Sequence, residues 1–294
     1  MNRPFLLLIA AGLLITSAAL AAKEEPVKPE EFKPAKLTRK ATPPPRAMAE
    51  VNRILDAGKT GTTAKRRDLN IVLVASKKDH GPETHDYPLW QKRWSTLLSF
   101  ADNVKVSTAF PWPNEQQFKS AHVIVFYSNN KVLDVPKAKQ FRAYLERGGG
   151  AVFLHWGVNG ARAVDPQAKN IGLVWAKGSR YRHGPLTLKF KVPDHPITKG
   201  FKSTHFDDES YWNMTGDANS INVLATTVEE KKPRPLLWTR DVGKGKVFVN
   251  ILGHNTWTFD DPLYRILVMR GIAWVANDDI NRLNKLVTVG TRVN

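Results

Sequence analysis

The chain has no cysteine among its 294 residues. That absence excludes a disulfide framework, a thiolate metal site and a cysteine nucleophile. Acidic residues are also scarce: 27 Asp and Glu stand against 44 Lys and Arg, for a formal charge of +17. Such a surplus raises nucleic-acid binding as a question. The cations are scattered, however, and clusters such as Lys65-Arg66-Arg67 and Lys231-Lys232 are isolated. No helix-turn-helix, RRM or zinc-finger spacing goes with them. The charge therefore reads as a basic surface that attracts anionic polymers or membranes without specificity, and no specific nucleic-acid partner is expected. No internal repeat is visible.

Long apolar runs are lacking too, apart from the first residues. MNRPFLLLIAAGLLITSAALAAKEE has one early cation, Arg3, an apolar stretch from Phe5 to about Ile15, and small residues at Ala19 and Ala21. This is the layout of a signal peptide over residues 1–21, cleaved after Ala21, which predicts export to the periplasm or the medium. An uncleaved anchor is the alternative, but the stretch falls short of the ~20 residues a spanning helix needs. Membrane contact would then be limited to the transient signal peptide.

What remains is rich in core-forming residues: 42% are hydrophobic and nine are tryptophan, as in a folded globular chain. Residues 22–67 read as a Pro/Lys-rich tether, too poor in large apolar residues to fold alone and so removable, with a short helix at 47–57 stopped by Gly58. The globular domain is expected over 68–280, followed by a C-terminal tail at 281–294. Within the domain, strands at 69–76, 104–110, 122–128 and 150–156 alternate with helices at 88–101, 114–121 and 136–147. Strands then follow at 186–192, 221–228, 235–242 and 246–253, the last two as a hairpin around Gly243-Lys244-Gly245, and an amphipathic helix spans 261–278. The predicted fold class is α/β: a doubly wound, mostly parallel sheet with helices on both faces, extended by antiparallel strands.

Ligands of such sheets bind beyond the carboxyl ends of the strands. That rule places His80, His85, Asn129 and His155 on one rim. His155 ends the run GGGAVFLHWG, at a strand-to-turn junction where related architectures carry a nucleophile. A neutral imidazole there could transfer a proton near neutral pH; the plainer alternative is a packed histidine bonded to backbone. Trp156 could stack on a sugar face or simply fill the core. His80 and His85, in KKDHGPETHDY, suit substrate contact, while His85-Asp86 could instead cap the next helix. Arg180 and His183, in GSRYRH, suit a multiply hydroxylated ligand. Glu209, crowded by Asp207 and Asp208 in DDESYW, could have the raised pKa of a general acid, or belong to a charged turn. His254 ends the last strand much as His155 ends the fourth. His122 and His195 read as structural. A divalent metal is the weaker reading, because no HExxH or HxH spacing occurs and the ligands would come from distant loops. No cofactor is expected on that ground.

Taken in order, KKDHGPETHDY, GGGAVFLHWG, GSRYRH, DHPITKGF, DDESYW, WTRDVGKGKVF, LGH and DPLYRILVMRGIAW resemble the ThuA-like, trehalose-utilisation family over about residues 69–277. The resemblance implies a class I glutamine amidotransferase-like fold in which His155 stands where true amidotransferases carry cysteine. It also implies a role in catabolism of disaccharides or their 3-keto derivatives. The basic Pro-rich segment lies outside the resemblance. The expected catalytic residues are His155, Glu209 and His254. His80, His85, Asn129, Trp156, Arg180, His183 and Tyr211 are expected to hold a small sugar substrate, with no metal. A non-catalytic carbohydrate-binding or scaffold protein is the competing function.

Overall fold

The computed structural model describes residues 27–38, 42–59 and 67–294; the expected signal peptide lies outside the described residues. Helix α1 (Met48–Ala57) precedes the sheet. Strand β1 (Leu69–Val74) pairs in parallel with β2 (Val104–Ala109) on one side and β3 (Val123–Phe126) on the other, and β4 (Gly150–Leu154) continues in parallel beside β3. Every residue of β3 and β4 is buried, as their unbroken apolar sequence demands of strands covered on both faces. The crossovers are α2 (Tyr87–Ser99), α3 (Glu115–Ser120) and α4 (Val135–Glu146). Each begins where a short polar side chain takes up a free backbone N–H: Asp86 accepts from Leu89, Asn114 from Gln117 and Asp134 from Lys137. Asp86, not His85, is thus the cap of α2.

Helix α5 (Val164–Ile171) and the two-residue strand β5 (Leu173–Val174) lead into β6 (Arg180–Phe190), β7 (Thr204–Trp212), the short β8 (Thr215–Gly216), β9 (Asn222–Glu229), β10 (Lys232–Val242) and β11 (Gly245–Asn250). The main sheet runs β2-β1-β3-β4-β11-β10-β9-β6-β7. It is parallel up to β11, which lies beside β4, and antiparallel beyond. The β10–β11 hairpin turns at Gly243, whose φ of 59° is one that glycine adopts without strain. This is the doubly wound sheet with an antiparallel extension that the alternating pattern implies. Helix α5 and strands β5, β7 and β8 are absent from the sequence reading. FDDESYW belongs to β7 rather than to a turn, and β6 starts at Arg180 because β7 pairs with it from there.

The last helix, α6 (Pro262–Val275), is buried nearly all round instead of being amphipathic. Helix α1 and residues close to the C-terminus pack against it, and backbone carbonyls satisfy its buried arginines. Arg270 donates to Ile54 O and Lys199 O, and Arg265 to Phe259 O, Val289 O and Gly290 O. Residues 281–294 are therefore packed, with Arg282, Leu283, Leu286 and Val287 buried, and are not a free tail.

The tether reading is corrected in the same way. Within 27–38 and 42–47, Phe32 is buried against Phe100, Ala35 N donates to Asp260, and Arg46 pairs with Asp261 and forms a bridge with Val293. One aromatic and a few directional bonds anchor a stretch whose average composition looks unfoldable. Deleting residues 22–45 is expected to lower stability by at least about 1.5–3 kcal/mol, the scale of burying one Phe side chain. Chemical denaturation of the shortened protein checks this, and an unchanged midpoint would contradict the packing.

Candidate active site

At the end of β4 the chain makes an abrupt turn. His155 has φ 49°, a left-handed backbone that non-glycine residues adopt only when held there. Two residues on, a Cβ on Gly157 would lie 2.7 Å from the carbonyl oxygen of Phe126, so the turn closes only around glycine. The imidazole is fully buried. Its Nδ1 lies 2.8 Å from the carbonyl oxygen of Ile251, at the end of β11. A carbonyl only accepts, so the proton sits on Nδ1 and Nε2 carries the lone pair.

Three groups lie close to that Nε2. His85 Nε2 is 2.8 Å away, Tyr211 Oη 2.9 Å and Glu209 Oε2 3.2 Å. His254 Nδ1 lies 3.0 Å from the same Glu209 oxygen. His183 Nε2 approaches the other carboxylate oxygen, Oε1, at 3.1 Å. The β6–β7 register explains this: His183 stands opposite Glu209 and Tyr181 opposite Tyr211. With the strand period of two, Arg180 and Arg182 face the other way, where they pair with Glu230 and Glu229. Arg180 is therefore not brought to the cluster.

Supporting bonds fix each group. His85 (φ 45°) donates its backbone N–H to His254 O, and its Nδ1 lies 3.2 Å from Asp79 Oδ1 and 2.8 Å from Tyr87 Oη. Asn129 is buried and donates from Nδ2 to Asp79 Oδ2, so it braces the carboxylate that braces His85. His80 is exposed, lies on Asp79, and has its ring centroid 3.7 Å from that of His85. Asp208, buried beside Glu209, accepts from the backbone N–H of Glu209, Gly253 and His254 and from the Thr258 hydroxyl, which ties the His254 turn to β7. Asp79, Tyr87 and Asp208 escaped the sequence reading. The first two stand in the quoted KKDHGPETHDY loop; for Asp208 no sequence signal marks the role.

Electrostatics follow from these contacts. Burial alone would raise the Glu209 carboxyl, but the neighbouring imidazoles of His155 and His254 hold it well below the usual carboxylate range. The expected raised pKa falls instead on Asp207, through burial and the neighbouring charge of Asp208. Burial lowers His85 to about 3, with the Asp79 bond opposing and the other histidines adding. Burial likewise keeps Tyr211 protonated, far above its usual range.

An aromatic wall flanks the cluster. Trp156 and Trp175 lie with centroids 5.0 Å apart, Trp175 is 4.8 Å from Tyr211, and the exposed Tyr181 lies beyond it at 6.1 Å. Trp175 was not singled out from the sequence. His122 accepts from Asn70 N at the opposite end of the strands, and His195 packs on Trp274; neither belongs to the site. A separate surface groove lined by Pro44, Arg46, His205 and Trp257 contains none of the cluster's side chains. His85, His155, Glu209 and His254 also put one ligand-capable atom each within 4.8 Å of one another. Ligands absent from any short sequence spacing are thus gathered by the sheet.

The parallel sheet, the elbow after β4 and the helices on both faces define a class I glutamine amidotransferase-like α/β protein with histidine at the elbow. The sequence model of the ThuA family, described as trehalose utilisation, matches residues 71–275, and the chain belongs to that family. Among solved structures it is similar to a ThuA-like protein from Parabacteroides merdae ATCC 43184, at 21% identity and TM-score 0.56 over 71% of this chain and 90% of that one. A ThuA-like protein from Bacteroides uniformis ATCC 8492 is similar at 17% identity and TM-score 0.57, over 75% and 97% of the two chains. At these identities the likeness is one of fold. No curated protein matches the chain.

Proposed function

We propose that this is an exported sugar-processing enzyme that cleaves a disaccharide or a 3-keto-glycoside by acid/base chemistry at the histidine–glutamate cluster. The observation that carries the reading is the convergence of His155, His183, His254 and Tyr211 on the single carboxylate of Glu209. Export rests on the N-terminal sequence alone. No helix among the described residues is long and apolar enough to cross a membrane.

His155 has no ring nitrogen free to meet a substrate, since Nδ1 is bound to Ile251 O and Nε2 faces the cluster. The proton-transfer role therefore moves to His183, whose side chain is 54% exposed above a Glu209 that is 6% exposed. Glu209 holds the His183 proton on Nε2, leaving the Nδ1 lone pair to take a proton from substrate, as carboxylate–histidine pairs do elsewhere. In a 3-keto-glycoside the carbon between the ketone and the anomeric centre is acidic. His183 takes its proton, the electron pair forms the alkene, the anomeric C–O bond breaks, and the departing sugar takes up a proton. Water then adds to the alkene, completing a net hydrolysis without the paired carboxylates of ordinary glycosidases. Trp156, Trp175 and Tyr181 offer ring faces to the sugar's C–H surface.

The test is turnover of 3-keto-disaccharides and their unoxidised parents by wild type and His183→Ala. Keto substrates are expected to be cleaved. His183→Ala should lose ~10²–10⁴-fold in kcat, the usual general-base contribution, with an unchanged melting temperature. Sugar binding without turnover of any substrate would leave a binding protein and overturn the enzymatic reading.

A further inference from the structure

We propose that His85, His155, His254 and Glu209 form a binding site for one divalent first-row transition-metal ion, of which zinc is the working probe. The argument starts from protons. The carbonyl of Ile251 requires the His155 proton on Nδ1. Asp79, 3.2 Å from His85 Nδ1, also takes the Tyr87 hydroxyl proton, so the Tyr87 oxygen, 2.8 Å from that nitrogen, accepts and the His85 proton sits on Nδ1 as well. Both Nε2 atoms then carry lone pairs, and they face each other at 2.8 Å. Glu209 Oε2 adds a third electron-rich atom, 3.2 Å from His155 Nε2. Convergent lone pairs repel unless a cation lies among them.

His254 supplies an independent sign. Its Nδ1 is buried and, although 3.0 Å from Glu209 Oε2, lacks the alignment of a hydrogen bond. A buried ring nitrogen held in the cluster without a directed partner is available to bind a cation.

The supporting shell has the form metal sites use. One imidazole donates its outer N–H to a backbone carbonyl, the other to a carboxylate that is itself hydrogen-bonded by Asn129. Three imidazoles and one carboxylate favour zinc, iron, nickel or manganese over magnesium and calcium, which prefer all-oxygen cages. When bound, such an ion would polarise a substrate carbonyl as a Lewis acid. The inference deepens the sugar-processing reading but does not depend on sugar for its test.

The experiment is zinc titration of the full mature chain after chelation and desalting, read by calorimetry and by elemental analysis, with no sugar present. The expected result is one equivalent per chain. His155→Gln and Glu209→Gln should weaken binding more than ~100-fold, and Asp79→Asn by ~10–100-fold, the range for a bracing partner. His122→Ala, remote from the site, should bind as wild type. Because the buried variants could fail to fold, the melting temperature of wild type is also measured with zinc and with chelator, and a rise with zinc is expected. Less than a tenth of an equivalent bound to wild type, with no thermal shift, overturns the metal site. So does binding that survives in folded His155→Gln and is lost on replacing exposed His80. Zinc binding without sugar turnover would instead contradict only the proposed function.

Discussion

Glu209→Gln is expected to lower turnover by ~10²–10⁴-fold or more per folded molecule, the range for an essential acid/base group. Glutamine keeps the volume and one acceptor but removes the charge. Four side chains meet that charge: His155 at 3.2 Å, His254 at 3.0 Å, His183 at 3.1 Å and the Tyr211 hydroxyl at 3.0 Å. With an amide in its place, His183 loses the partner that fixes its tautomer. Stability should fall as well, since Glu209 and its partners are buried together, so rates must be normalised to folded protein from circular dichroism. A folded Glu209→Gln protein with wild-type kcat would remove the carboxylate from the chemistry.

The second large effect concerns stability. Asp260→Ala is expected to cost about 3–5 kcal/mol, the scale for leaving a buried charge unpaired. Asp260 Oδ1 accepts from Arg265 at 2.7 Å and from Arg93 at 3.0 Å, and Oδ2 accepts from Ala35 N at 2.6 Å. Arg265 is 1% exposed and sits inside α6, with only carbonyl acceptors left once the carboxylate is gone. The same change frees the segment carrying Phe32, so proteolysis near residues 27–47 should speed up as the urea midpoint falls. A loss under about 1 kcal/mol would show that the carbonyls of Phe259, Val289 and Gly290 suffice for the guanidinium.

These cases also mark where the sequence is readable. β3 and β4 are plain because strands covered on both faces must be apolar throughout. β7 is hidden because a strand built around a polar site carries Asp207, Asp208 and Glu209 in succession, which reads as a turn. The 27–47 segment is hidden because its anchors are sparse, one phenylalanine and a few directed bonds, and composition averages them away. The burial of α6 on all sides depends on α1 and residues 289–290 packing against it, which no local pattern encodes.

The site divides in the same way. His155 is legible because strand-end position and a following glycine locate it. Its protonation is not legible, since that depends on Ile251, 96 residues away. Arg180 and His183 look equivalent in sequence, and only the β6–β7 register separates the residue facing Glu209 from the one facing Glu230. A ligand set spread over loops after β1, β4 and β11 and over β7 leaves no spacing signature, which is why a metal looked unfavourable before the fold was known.

The most direct measurement is cleavage of a 3-keto-disaccharide in deuterium oxide, followed by NMR or mass spectrometry of the released sugars. Proton removal next to the ketone, elimination and water addition should place deuterium on the carbon between the ketone and the anomeric centre of the released keto-sugar. That label should be absent from controls without protein. Release with the original proton retained would contradict proton abstraction as the key step, and no release from any keto-sugar would contradict the account at its centre.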